Sequence, residues 1–172
     1  MSQEEEIRQL TEHFRALGAP RPEGWARSQV EEGIPQYARF VFLRQAWRSI
    51  IADGDTSWID PMIQQSERHP QSPGASIGPA LKRILAAGAS PQDVAEVVRV
   101  MQWHVLAGLA YQPSDSGVVE YPEPRTPRVN WALVEMDEDG QPLHSIDVLH
   151  ESVLDTDPTG REMRPRGVSR EG

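Results

Sequence analysis

Residues 76–111 carry the strongest structural signal in the sequence, because their turn residues and their apolar spacing both fit a pair of helices. Ser76 is a suitable N-cap, Gly88 a suitable end for the first helix, and Ser90-Pro91 a suitable start for the second. In the second helix, apolar side chains recur at helical spacing: Val94, Val97, Val98, Met101, Val105 and Leu109. Such a stripe is typical of a helix face that packs into a core. The sequence therefore predicts a helical hairpin with this face buried.

Further helices are predicted on the N-terminal side of this hairpin. Ser2 and Glu5 have the spacing of a capping box, and Gly18 ends the apolar repeat that follows them. Three more helices are expected: one through Trp25 and Val30 that ends near Gly33, one from Pro35 to Gly54, and one over residues 58–67. The stripe Arg39, Arg44 and Arg48 is expected to form the outer face of the helix that begins at Pro35.

The C-terminal part contains the signals of a β-hairpin. Val129–Met136 is apolar and β-prone, Asp139-Gly140 is a two-residue turn signal, and Leu143–Ile146 would return antiparallel. The expected register pairs Glu135 with His144 and Met136 with Leu143. Behind Ser145, helical spacing of four apolar residues predicts a short final helix: Ile146, Leu149, Val153 and Leu154.

We expect one mainly α domain over residues 1–172, since domains average about 150 residues. Residues 1–112 would form a helical bundle-like body of about five to six helices. Residues 113–128 are a Pro-rich connector, and residues 129–172 form an acidic part packed on the body, with a small C-terminal β-hairpin, the short final helix and a tail.

Composition excludes several classes of protein. The chain contains no cysteine, which removes disulfides, thiolate nucleophiles and cysteine-ligated metal sites. The segment Met1–Glu6 is acidic and no apolar run approaches the roughly 18 residues of a membrane span, so no secretory signal and no membrane association are predicted. A cytoplasmic protein is therefore expected. Lys82 is the only lysine among 17 basic residues, an arginine bias that we attribute to a GC-rich bacterial genome.

The net charge of −9 is concentrated toward the C-terminus, because residues 113–160 contain 11 acidic residues and two basic ones. The electrostatic field of these acidic residues repels phosphate backbones and attracts basic surfaces. We therefore expect a basic protein as the partner and no nucleic acid. The sequence thus favours a protein-interaction module with an acidic C-terminal surface, and an immunity-like role against a cationic toxin fits the same charge. A surface that only maintains solubility is the plainer alternative.

No catalytic residue and no cofactor are predicted, because the sequence contains none of the common nucleophile, phosphate-loop or dinucleotide motifs. The loops that begin at Asp53 and Asp155 have part of the spacing of a calcium loop. Gln64 and Arg166, however, stand where the bidentate glutamate is needed. The histidines have no metal-binding spacing, and no metal site is predicted.

Five C-terminal residues are candidates for binding a small polar molecule: His150, Glu151, Asp155, Asp157 and Arg161. Carboxylates beside an arginine can orient such a ligand in a pocket between the helical body and the C-terminal segment. Under this alternative, the protein is a small-molecule binder or an enzyme.

Arg44, Trp47 and Arg48 form another candidate binding site, because tryptophan and arginine are enriched in protein contact centres. This hypothesis requires the three side chains to meet at a surface; solvated or locally paired arginines are the alternative reading. A homo-oligomer built on the helix of residues 94–109 is a further possibility.

Two segments, Trp25–Pro35 and His150–Leu154 continuing into Asp157–Glu162, resemble a family of uncharacterised bacterial proteins with no assigned activity. The resemblance implies a bacterial origin and no catalytic residue.

Overall fold

The computed structural model describes residues 2–114 and 131–167, and it confirms a mainly α fold with a C-terminal hairpin and a short final helix. The helices are α1 (Gln3–Ala16), α2 (Pro22–Glu32), α3 (Gln36–Trp47), α4 (Ile59–Arg68), α5 (Ile77–Ala86), α6 (Pro91–Tyr111) and α7 (Leu149–Ser152), and a 3-10 turn follows α6 at Gln112–Ser114. The strands are β1 (Val134–Met136) and β2 (Pro142–Ser145). Beyond Ser114, the predicted connector lies outside the described residues.

Most of the predicted helix starts are confirmed. The Ser2 hydroxyl accepts a hydrogen bond from the Glu5 backbone N–H at 3.2 Å, and the Ser90 hydroxyl accepts one from the Asp93 N–H at 3.0 Å. Each bond satisfies one of the amides that a helix leaves unpaired at its first turn. Ser76 also precedes a helix, but its side chain makes no capping bond.

The helix that begins after Pro35 differs from the prediction in its length and in its outer face. It ends at Trp47 and not near Gly54, because the chain turns at once through Arg48. Arg39 was expected to face solvent, yet it is only 4% exposed and therefore lies inside the protein. The prediction for Arg39 was wrong because helical spacing shows which residues share a face but does not show what that face contacts.

The described residues cluster into two compact units, one from Met1–Ser49 with His104–Gly172 and one from Ile50–Trp103. The core of the first unit is aromatic. Phe14, Trp25 and Phe40 lie with ring centroids 5.5 to 6.0 Å apart, in one stacked and two edge-on pairs, both favourable aromatic geometries. Contacts among these rings pack α1, α2 and α3 against one another.

The C-terminal segment contributes to the same unit through α7. Leu149 and Val153 are among its fully buried side chains. The indole Nε1 of Trp47 donates to the Val153 carbonyl and to the Thr156 hydroxyl, each at 3.1 Å. Apolar burial and these two hydrogen bonds together hold α7 against α3.

The second unit has its own core, formed by Ile59, Leu81 and Val94. Helices α4 and α5 approach closely at Gly78, where an added Cβ would lie 2.5 Å from the Cβ of Ser66. Glycine is therefore required here by space and not by backbone conformation.

Helix α6 buries only part of the face that was predicted. Four residues of the predicted core stripe are exposed, among them Met101 at 58%, and they recur at every fourth position: Val97, Met101, Val105 and Leu109. Val94 of the predicted stripe is buried, but the other buried residues named for α6, Ala95, Arg99 and Ala110, lie on a face about a third of a turn away. The prediction failed because α6 has apolar residues on both faces, so that periodicity alone does not identify the buried one.

The predicted hairpin exists, with a correction to its turn. Glu135 pairs with His144 as expected, but Met136 pairs with Pro142 and not with Leu143. The turn is longer than two residues, because the Asp137 carbonyl accepts from Gly140 N–H at 3.0 Å and the Asp137 carboxylate accepts from two further backbone amides. The extra residue produces a bulge after Glu135.

Candidate functional site

The five C-terminal candidates do not converge on one site. His150 is partly buried with its ring 4.7 Å from that of Tyr111, while Glu151 is exposed on α7. Asp157 is 3% exposed. Its carboxylate accepts from the Thr159 amide and hydroxyl and from a further backbone amide in the turn that follows. Such hydrogen bonds are typical of an Asx turn, so Asp157 has a structural role.

Arg161 also acts locally within the structure. Its guanidinium donates to the Arg164 carbonyl at 3.1 Å, and its backbone N–H donates to the Thr159 hydroxyl. These contacts shape the chain after the Asp157 turn.

The hypothesis of an exposed contact centre at Trp47 requires correction. Trp47 is only 2% exposed and bonds to the C-terminal segment inside the first unit. Arg48 is exposed and Arg44 is partly exposed. Since the indole is unavailable to a partner, the two arginines do not surround an accessible tryptophan.

Asp155, another C-terminal candidate, lies at a cavity. Its carboxylate accepts from the Arg21 guanidinium at 2.9 Å. The cavity has a volume of about 290 Å³, and we call it the polar cavity; its lining residues are Arg21, Gly24, Trp25, Ser28, Gln36, Ser152 and Asp155. All of them belong to the first unit.

Gln36 supplies a buried amide to the wall of the polar cavity. The residue is 8% exposed, and its Nε2 donates to the Ser28 hydroxyl at 2.8 Å. Its Oε1 is buried and accepts no hydrogen bond from any part of the chain that the structure describes. A buried acceptor of this kind is rare, because an unmade hydrogen bond costs about 1 to 3 kcal/mol.

Arg39 lies behind the cavity wall and bonds to uncharged groups. Its Nη2 donates to the Val148 carbonyl at 2.7 Å and to the Ser152 hydroxyl at 3.0 Å. Burial lowers the pKa of Arg39, an effect that the charges of Glu151 and Asp147 oppose. A guanidinium stays charged at physiological pH even so. Arg39 thus contributes a positive charge behind the wall formed by Ser152.

A second surface feature is the hairpin itself. Residues 131–145, which we call the acidic hairpin, contain four acidic residues and no lysine or arginine. Every side chain of β2 is exposed, and four large apolar side chains of the acidic hairpin are exposed as well: Trp131, Val134, Met136 and Leu143. Both faces of this two-stranded sheet are therefore largely accessible.

Sequence reasoning missed most residues of the polar cavity. Arg21, Ser28, Gln36 and Ser152 are polar residues in helical or loop contexts, without any motif spacing. Arg21 adopts the left-handed conformation at φ 53°, which is uncommon outside glycine and frequent at functional sites. Pro20 and Pro22 indicate an irregular backbone at Arg21, but they do not indicate a binding site.

Within residues 2–114 and 131–167, no group of three or more histidine, aspartate or glutamate side chains is arranged to hold a metal ion. None of the described helices combines the length and the apolar character that crossing a bilayer requires. Comparison of the chain with protein families, with curated proteins and with solved structures finds no match.

Proposed function

We propose that this protein is a bacterial cytoplasmic interaction module that binds a basic protein through the acidic hairpin. The observation that carries the proposal is the exposure of both faces of that hairpin, acidic and apolar side chains together. A two-stranded hairpin without a packed face is marginally stable in water. A partner that covers one face would stabilise it and would bury Met136 and Leu143.

The charge of this region supports a basic partner. From residue 131 to residue 160 the chain has eight acidic residues and no lysine or arginine. Asp137, Glu138 and Asp139 are exposed at the hairpin tip. Like charges gathered at an exposed tip accelerate association with a surface of opposite charge and reject acidic partners. An immunity-like role, with a cationic toxin as the partner, is one biological form of this proposal.

The backbone of the hairpin supports the same role. Only β1 and β2 pair in the described sheet, so each strand has an outer edge without a neighbouring strand. Such edges can accept a strand from another protein.

Affinity capture from the native extract, at low and at moderate salt, tests the proposal. We expect wild type to capture a basic protein, and the double variant Glu138→Lys/Asp139→Lys to lose it. The matched control is Glu32→Lys/Glu96→Lys, which changes the charge by the same amount at exposed positions outside the hairpin. Capture that is equal for all three proteins, or absent at both salt concentrations, would contradict the proposal.

The exposed side chains of α6 favour a second candidate function, self-association. Val97, Met101, Val105 and Leu109 are each more than half exposed. Their even spacing is self-complementary: in an antiparallel pair of α6 helices from two copies, Met101 would face Val105 and Val97 would face Leu109. A symmetric dimer requires such an isologous patch.

Light scattering tests this second candidate. We expect wild type to have the mass of a dimer and Val105→Glu to have the mass of a monomer, because the glutamate would place two charges at the centre of the interface. Gln92→Glu, at an exposed position on the same helix, should leave the mass unchanged. A wild type that is monomeric at high concentration would exclude self-association.

A further inference from the structure

One residue that lines the polar cavity carries a hydrogen-bond acceptor to which the described part of the chain donates nothing. Gln36 Oε1 is a buried acceptor without a donor in the described chain, and it belongs to a residue that lines the cavity. Asp155, on the same lining, is about one-third exposed and accepts from Arg21. Two residues of the lining thus carry acceptor oxygens, that of Asp155 at the surface and that of Gln36 buried and without a donor in the described chain.

We propose that the polar cavity binds a small zwitterion of the free α-amino acid class, with its ammonium group at Gln36 Oε1 and Asp155 and its carboxylate at Arg21. This binding site is independent of the acidic hairpin and of its partner.

The acceptors favour an ammonium group. An ammonium has three N–H donors and no acceptor, so one such group has enough donors for both the Gln36 carbonyl oxygen and the Asp155 carboxylate. A carboxylate-to-ammonium bond is charge-assisted and stronger than a bond between neutral groups. A hydroxyl could reach one of these acceptors, but it would leave the charge of Asp155 with Arg21 alone.

The donors favour a carboxylate beside that ammonium. Arg21 uses one nitrogen, Nη2, on Asp155, whereas a guanidinium has five N–H donors in a planar fork that matches a carboxylate. Arg39 adds a positive charge behind Ser152, which bonds to it and lines the cavity. A zwitterion exchanges the internal Arg21–Asp155 pair for two pairs with the ligand and leaves neither Arg21 nor Asp155 without an opposite charge.

The size of the cavity agrees with a ligand of this class. Its volume of about 290 Å³ is at the lower end of the range for ligand sites, about 300 to 1,000 Å³. Ser28 and Ser152 also line the cavity, and their hydroxyls accept from Gln36 Nε2 and Arg39 Nη2.

Isothermal titration calorimetry of the full chain with each standard amino acid tests the proposal. For any amino acid that binds, two analogues serve as probes: the amide, which lacks the carboxylate, and the N-acetyl derivative, which lacks the ammonium. We expect at least one amino acid to bind and both of its analogues to bind roughly tenfold more weakly or not at all. No binding by any amino acid, or equal binding by either analogue, would overturn the proposal, as would binding of a simple polyol such as glycerol in their place.

Substitutions locate the site. Asp155→Asn and Arg21→Gln keep the side-chain shape and remove one charge each, and each should weaken amino acid binding roughly tenfold. The control Glu23→Gln/Arg27→Gln removes an exposed ion pair of the same unit that does not line the cavity, and its affinity should equal that of wild type. Circular dichroism confirms that each variant is folded. Unchanged affinity in both cavity variants would overturn the assignment of the site.

The hairpin variant Glu138→Lys/Asp139→Lys should bind the amino acid with the affinity of wild type. Either proposal can therefore be disproved without the other.

Discussion

Trp47 illustrates how a single polar atom can decide the role of a large side chain. Its indole ring is buried, and its Nε1–H lies within 3.1 Å of two oxygen atoms from the C-terminal segment. A buried indole without such a partner would leave its N–H unsatisfied. Trp47 therefore joins α3 to the chain that follows α7, a role that the sequence did not distinguish from a surface contact.

We expect Trp47→Phe to destabilise the protein by about 1 to 3 kcal/mol, because the Val153 carbonyl loses a buried donor while most of the apolar area remains. Urea denaturation followed by circular dichroism measures this change. Trp131→Phe is the matched control: the ring of Trp131 is 50% exposed, so water can replace its bond to the Gln112 carbonyl. Equal losses in the two variants would show that ring size and not the hydrogen bond matters.

Gly78 and Gly108 are both helical glycines, yet they occupy different surroundings. A Cβ at Gly78 would meet the Ser66 side chain at 2.5 Å, whereas a Cβ at Gly108 would meet nothing within 4 Å. The same substitution therefore has opposite consequences at the two positions.

Gly78→Ala should destabilise the protein by about 1 to 3 kcal/mol through overpacking. Gly108→Ala should stabilise it by about 0.5 to 1 kcal/mol, since alanine has the higher helix propensity. Thermal unfolding of both variants beside wild type tests the pair. If both variants were stabilised, α4 and α5 would not be as close as the structure places them.

At the scale of elements, helix starts follow local chemistry closely. Ser2 and Ser90 make the capping bonds that their sequence context predicts, while Ser76 begins α5 without one. Ser76 itself has helical φ and ψ angles, unlike the extended Ser2. A cap residue in the helical conformation cannot easily direct its hydroxyl to the first-turn amides.

Ser90→Ala should cost about 0.5 to 2 kcal/mol, because the Asp93 amide loses its acceptor at the start of α6. Ser76→Ala should cost less than about 0.5 kcal/mol, because no capping bond is lost. Chemical denaturation of the two variants measures both values. A larger loss at Ser76 than at Ser90 would contradict this account of capping.

At the scale of the whole molecule, the chain contains two groups of buried side chains that belong to different compact units. Phe14 is at the centre of one group, and Leu81 belongs to the other. Units with their own cores can open as separate cooperative elements.

Leu81→Ala should lower the free energy of unfolding of the second unit by about 2 to 5 kcal/mol, because it leaves a cavity in the core of that unit. We expect hydrogen exchange, read by mass spectrometry, to accelerate in α4 and α5 while α1 and α2 retain their protection. Phe14→Ala, the reciprocal variant, should reverse this pattern. Uniform acceleration in all four helices by either variant would indicate a single cooperative core, as the sequence prediction of one domain implies.

Local signals were enough to predict the helices and the hairpin, because capping, glycine stops and periodicity act over a few neighbouring residues. Glu135 and His144 were paired correctly for the same reason. The turn at Asp137 was predicted wrongly. The Asp137 carboxylate accepts from two backbone amides and so favours a longer turn than the predicted two-residue one.

The tertiary fold sets which faces are buried and which polar groups meet. It turned α6 so that Met101 faces outward, placed Arg39 inside, and brought Arg21 to Asp155, 134 residues further along the chain. The physical reason is that burial depends on which surfaces of distant elements fit together, and local spacing does not contain that information. The polar cavity could therefore be found only once the chain was folded.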